Sequence, residues 1–279
     1  MTAIFEKISS GIEIQESQFE SGGSSFCTFS TFVKSGHTTC GDSAFVYYDS
    51  KKAIFGVFDG VSADPDGAIA SACAARFFLD ELKHIDRINE RSLESSFHSV
   101  HSKIEKGNTT AVILIIQNNG SFVIGSVGDS VAYGINKEGK IELELPIARA
   151  VGDGDSVFKY FQFRNILTSV LGPISGLQKD PHELHIRKGK LQKNELFILA
   201  SDGLSDNLFL RLKDGYIVDS SGSADLAELI GTQRDPEKIT KIISSSVSAR
   251  LSTGRVEKSN LLLVPKQDDV SIVVVKMLG

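Results

Sequence analysis

Residues 109–127 read TTAVILIIQNNGSFVIGSV. Two apolar runs flank the dipeptide Asn119-Gly120, which tolerates positive φ and favours a tight type I′ hairpin turn. The first run, residues 111–116, is apolar at every position, so the strand is expected to be covered on both faces. LFILA (196–200) and VSIVVV (270–275) are likewise apolar on both faces. A sheet with one wet face would alternate instead. Tight hairpins disfavour the other doubly covered arrangement, a parallel α/β sheet. The expectation is an α+β fold: a central β-sandwich of two mostly antiparallel sheets flanked on both sides by helices, in α-β-β-α layers.

The remaining pattern agrees. Residues 44–48 and 53–58 form a second hairpin around the turn 49–52. In residues 66–83, Ala68, Ala72, Ala75, Leu79 and Leu82 follow a helical period, as do Leu93, Phe97, Val100 and Ile104 in residues 89–106. Residues 236–251 read as a third helix, with Pro236 in its first turn. SGGSS (21–25) reads as a turn between early strands. No linker or repeat divides the 279 residues, so 1–279 is expected to be one domain.

Composition excludes several classes. At 41% hydrophobic and 23% charged the chain is globular. No apolar run approaches the ~20 residues of a membrane span, and no secretory signal is visible. A net charge of −5 gives no basic field, so nucleic acid is not an expected partner. Cys27, Cys40 and Cys73 are odd in number and irregular in spacing, which argues against a disulfide framework and fits a reducing cytoplasm.

The informative residues are aspartates beside apolar runs. Asp42 precedes a strand in GDSAF; Asp59, Asp129 and Asp202 end strands in GVFDG, GSVGDS and LASDG; Asp268 and Asp269 open the last strand. Taken singly, Asp-Gly is a common turn dipeptide. Taken together, the strand ends of a sandwich can converge at its rim. Carboxylates brought together there repel unless cations sit between them. An oxygen-only ligand set suits Mg²⁺ or Mn²⁺ rather than zinc.

The ordered series GDSAF, GVFDG, TTAVILI, GSVGDS, LTSVLG, LASDGLSD and DDVSIVVV, spanning residues 41–275, resembles the metal-dependent protein phosphatases, the PPM or type 2C serine/threonine family, in its prokaryotic form. The resemblance implies two Mg²⁺ or Mn²⁺ ions per active site and a weaker third. It implies that Asp59 bridges both ions, that Gly60 offers a backbone carbonyl to one, and that Asp202 and Asp268 bind the other. Asp42 would hold metal-bound water, and Asp129 a third ion, with Asp202. Asp59, Asp202 and Asp268 are then expected to carry catalysis. Asp269 stands where the family often has Asn, so the ligand role goes to Asp268. The implied reaction is attack of a metal-activated water on phosphoserine or phosphothreonine in a protein substrate.

Two departures matter. Where many members carry a phosphate-clamping arginine, this chain has His37, which is expected to bind phosphate. Val61 follows Gly60 where eukaryotic members often have His. These departures keep two alternatives open: a catalytically weakened regulatory or binding module on the same fold, and a phosphomonoesterase for small molecules. Arg149 and Arg164 read as exposed structural arginines, with recruitment of an anionic substrate as the alternative. His84, His98 and His101 read as surface residues, and His182 and His185 as flanking a strand. Arg187, Lys188, Lys190 and Lys193 read as a solvated turn. The expected enzyme is a cytoplasmic monomer with no membrane partner.

Overall fold

The structure, a computed structural model, describes residues 5–10, 17–37, 39–86, 89–173 and 183–279. One sheet has the order β1 (Phe5–Ser10), β4 (Asp42–Tyr48), β5 (Lys52–Asp59), β6 (Ala111–Gln117), β7 (Ser121–Val127), β10 (His185–Lys190). The second has the order β2 (Ser17–Gly23), β3 (Cys27–Lys34), β16 (Val270–Met277), β11 (Leu196–Ala200), β8 (Val131–Ile135), β9 (Ile141–Glu144). Every pairing within the two is antiparallel. Helices α1 (Gly67–Leu82) and α2 (Glu90–Lys103) cover the first sheet. Helices α5 (Ser223–Ile230) and α6 (Pro236–Thr253) cover the second. The four expected layers are present.

The unbroken apolar strands follow from this stacking. Successive side chains of a strand point to opposite faces. Val112, Leu114 and Ile116 enter the core between the sheets, while Ala111, Ile113 and Ile115 enter the core under α1 and α2. In β16, Val273 and Val275 face the inter-sheet core, and Ile272 and Val274 face α6. Truncating one such buried side chain to Ala costs about 2–5 kcal/mol.

Local signals set the helix ends. The Asn89 side chain accepts from the Ser92 N–H at 3.0 Å and the Ser92 hydroxyl accepts from the Asn89 N–H at 2.9 Å, a capping box that starts α2. Asp235 caps α6 ahead of Pro236. The Lys52 ammonium donates to the carbonyls of Leu82, Lys83 and Ile85 at 2.7–2.9 Å, satisfying the end of α1.

Several details differ from the sequence reading. The β6–β7 turn is not type I′: Gly120 has φ +84, Asn119 has no positive φ, and the Gly120 N–H donates to the Gln117 carbonyl at 2.9 Å. This is a three-residue loop closed by a left-handed glycine. Residues 21–23 belong to β2, and the turn follows at residues 24–26. Arg187, Lys188 and Lys190 lie on β10, an edge strand, where charge discourages further pairing. His101 is buried, because it stands four residues after Phe97 on the packed stripe of α2; its Nδ1 accepts from the Gly172 N–H at 3.2 Å. His182 lies outside the described residues.

A smaller sheet has the order β13 (Tyr216–Asp219), β12 (Leu210–Lys213), β15 (Leu261–Leu263), β14 (Val256–Lys258). With α3 (Val157–Phe163) it encloses a fourth small core around Val151, Tyr160 and Ile217. The four-residue helix α4 (Asp202–Ser205) follows β11 directly. No helix among the described residues is long and apolar enough to cross a membrane. All three cysteines are free.

Candidate metal centre

The strand ends do converge. Asp42 opens β4 and Asp59 closes β5, and the antiparallel register sets them directly opposite each other. The Thr109 hydroxyl donates to the Asp59 carbonyl at 2.8 Å, and the Asp59 N–H donates to Thr110 Oγ1 at 3.1 Å, so the Thr-Thr pair before β6 anchors this strand end. Gly60 follows where a Cβ would come 2.3 Å from the Gly67 carbonyl oxygen, so no larger residue fits. Asp129 sits in the crossing from β7 to β8, after Gly128 at φ +93. Asp202 begins α4 at the end of β11, and Asp268 precedes β16.

Asp59, Asp129 and Asp202 each present a carboxylate oxygen, and these oxygens all lie within 4.8 Å of one another. Burial pushes the Asp129 carboxyl up to about 6, with Arg149 opposing the rise and Asp202 adding to it. Burial and the charges of Asp42 and Asp202 raise Asp59 well above the usual carboxylate range. Asp42 is fully buried with both oxygens unpartnered, and burial and Asp269 raise it likewise. Asp202 is the exception: burial raises it, but Lys266 and Arg149 outweigh burial and hold it below its usual value.

Two cations that the sequence reading did not place stand among these acids. Arg149 is not exposed; its side chain is 2% exposed and forks to three carboxylates. Its Nε donates to Asp129 at 2.8 Å, Nη1 to Asp206 at 2.8 Å and Nη2 to Asp202 at 3.2 Å. Lys266 Nζ lies 2.6 Å from Asp268 Oδ2, 3.2 Å from Asp202 Oδ2 and 3.4 Å from Asp206 Oδ2. Both cations come from irregular segments with no periodicity. The available signal was charge: buried acids at this density require compensating cations.

Asp269 is committed to the backbone. Its Oδ1 accepts from the Gly36 N–H at 2.6 Å and its Oδ2 from the Gly41 N–H, which pins both ends of the loop carrying His37. This leaves Asp268 as the acid facing the cleft. Asp268 Oδ1 accepts from the Asp269 N–H at 3.0 Å and lies 3.6 Å from His37 Nε2. Burial and the Asp202 charge raise the Asp268 carboxyl, with Lys266 opposing. His37, Asp59, Asp129, Asp202, Lys266 and Asp268 all line one cleft of about 350 Å³.

The donor set fits one hard divalent cation. Asp59, Asp129 and Asp202 offer oxygens only, and Asp202 Oδ1 is buried without a partner. The fit is poorer for a second ion between Asp59, Asp202 and Asp268. The Lys266 ammonium already lies on Asp202 and Asp268 there.

No family model matches the chain, and no curated protein matches it. Solved structures do match. RsbX in complex with magnesium is 17% identical, with a TM-score of 0.63 over 93% of this chain and 100% of that one. A bacterial serine phosphatase is 17% identical, with a TM-score of 0.63 over 95% and 99%. The serine/threonine phosphatase Stp1 from Staphylococcus aureus is 17% identical, with a TM-score of 0.60 over 95% and 96%. The chain shares its fold with these proteins over 93–95% of its length.

Proposed function

We propose that this chain, residues 1–279 acting as one domain, is a divalent-cation-dependent phosphatase of phosphoserine and phosphothreonine in proteins. The observation that carries the reading is the meeting of Asp59, Asp129 and Asp202 within 4.8 Å at the rim of the sandwich. The fold supports it, since structures that share it include a serine phosphatase and a serine/threonine phosphatase, one relative being bound to magnesium. Mg²⁺ or Mn²⁺ suits the oxygen donors. The reading includes a cytoplasmic monomer.

The residues divide the work. Asp59, Asp129 and Asp202 would hold the cation, with Asp42 and the Gly60 backbone beside them. A divalent cation supplies positive charge that activates water and neutralises phosphoryl oxygens. Arg149 orients Asp129 and Asp202, so their oxygens do not reorganise when charge develops. Asp269 fixes the loop that carries His37 to the cleft wall, where an imidazole N–H can donate to a phosphoryl oxygen.

The test is phosphate release from a phosphoserine or phosphothreonine peptide. Release with Mn²⁺ that stops with EDTA supports the reading, and no release under either condition removes it. The second reading is a weakened enzyme or binding module. It is favoured by Arg149 and Lys266, which already neutralise part of the acid cluster. A chain that binds the phosphopeptide with Mn²⁺ but releases no phosphate would be of that kind.

A further inference from the structure

We infer that the Lys266 ammonium is a built-in second cation of this centre, so that the chain takes up one divalent ion rather than a pair. The inference rests on the metal-centre reading above and deepens it.

An ammonium has three N–H donors and no acceptor. Lys266 stands among three carboxylates: it donates to Asp202 at 3.2 Å and lies 2.6 Å from Asp268 and 3.4 Å from Asp206. Two of those carboxylates, Asp202 and Asp268, are the pair that a second ion would need. The other oxygen of Asp268 accepts from the Asp269 N–H. Asp268 thus has no oxygen without a donor, while Asp202 keeps Oδ1 unpartnered. The two carboxylates divide: Asp202 Oδ1 remains open for an ion, while both Asp268 oxygens already face a donor.

The backbone that carries the lysine is held in position. Asn207, fully buried, accepts from the Lys266 N–H at 3.2 Å through Oδ1 and donates to the Lys266 carbonyl at 3.0 Å through Nδ2. The same Nδ2 donates to the Gly203 carbonyl at 2.8 Å, which ties Lys266 to the turn that bears Asp202. Both the N–H and the C=O of Lys266 are therefore fixed before the side chain begins. Its charge belongs to the chain and cannot be removed by a chelator. A second dication at the same carboxylates would displace it against like-charge repulsion.

The experiment is a Mn²⁺ titration of the full chain, read by calorimetry and by electron paramagnetic resonance. Wild type is expected to bind one Mn²⁺ per chain with the six-line spectrum of an isolated ion. Lys266→Ala is expected to bind two, with the broadened spectrum of a coupled pair. Two coupled ions in wild type overturn the inference whether or not the variant folds. One ion in a folded Lys266→Ala also overturns it, because the lysine is then not what excludes the second. No Mn²⁺ bound by wild type at millimolar concentration overturns the metal centre itself, and this inference with it.

Discussion

Arg149 Nε donates to Asp129 Oδ2 at 2.8 Å, with both side chains at 5% exposure or less. The same guanidinium also holds Asp202 and Asp206. It therefore joins the β7–β8 crossing to the turn after β11, two segments that periodicity alone does not connect. Breaking a buried ion network by removing one partner costs about 3–5 kcal/mol. Arg149→Met is expected to lose that much stability in urea unfolding with EDTA at pH 7.5. Arg149→Lys should lose less, because the charge stays while the three-way fork is lost. Equal stability of Arg149→Met and wild type would show that the network contributes nothing.

The metal-free chain should grow more stable as pH falls from 7.5 to 5.5. Burial pushes the Asp129 carboxyl up to about 6, above its unfolded value of 3.8. Asp59 and Asp42 are raised too, by burial and by neighbouring acids. Below about 6 the native state binds protons that the unfolded state does not, so unfolding becomes harder as pH drops. The gain continues until pH passes the unfolded value. A melting series in EDTA reads it, and saturating Mn²⁺ should raise the midpoint at pH 7.5 and flatten the slope. A midpoint that falls between pH 7.5 and 5.5 in EDTA would contradict the raised acids.

Asp59→Asn should have opposite effects on stability and activity. An amide removes one of several crowded charges, so the metal-free variant is expected to melt at or above wild type. The same amide is a poor ligand for a hard dication. Changes to groups that only support metal ligands cost about 10–100-fold, so loss of a ligand should lower kcat/KM by about 100-fold or more. Phosphopeptide turnover and thermal melting are read on the same preparation. Turnover near wild type would remove Asp59 from the site.

The layers and the acids were legible for a shared reason: both depend on local pattern. The run from Ala111 to Ile116 is apolar because its residues alternate between two cores, and that shows in six letters of sequence. Asp42, Asp59, Asp129 and Asp202 stand beside glycines or strand ends, so their place at the rim could be anticipated. Lys266 and Arg149 could not, since each lies in an irregular loop and owes its burial to acids far away in sequence. The small sheet of β12 to β15 was missed because its strands are three or four residues long, too short for alternation to register. His101 was misread because a stripe of apolar residues can carry one polar side chain whose ring nitrogen finds a backbone N–H.

His37 is placed to meet the substrate but is poorly equipped to grip it. Its Nε2 lies 3.6 Å from Asp268 Oδ1, and about half of its side chain is open to solvent. The loop beneath it is rigidly seated: a Cβ on Gly36 would come 2.1 Å from the Asp268 carbonyl oxygen, and Asp269 holds the N–H groups of Gly36 and Gly41. An imidazole offers one or two N–H donors, whereas a guanidinium offers five and stays charged. In His37→Arg one edge of the guanidinium can pair with Asp268 while the other reaches a phosphoryl oxygen. A charge-assisted hydrogen bond is worth ~1.5–3 kcal/mol, and ~1.4 kcal/mol is tenfold in affinity. His37→Arg is therefore expected to lower KM for a phosphopeptide at pH 7.5 by roughly 10-fold or more. Mn²⁺ affinity should change little, because the oxygens placed to bind the ion belong to Asp59, Asp129 and Asp202 and not to His37. Calorimetry with Mn²⁺ and steady-state kinetics separate the two effects. A KM that holds or rises, with Mn²⁺ binding intact, would mean that the phosphate is held elsewhere in the cleft and that His37 only borders it.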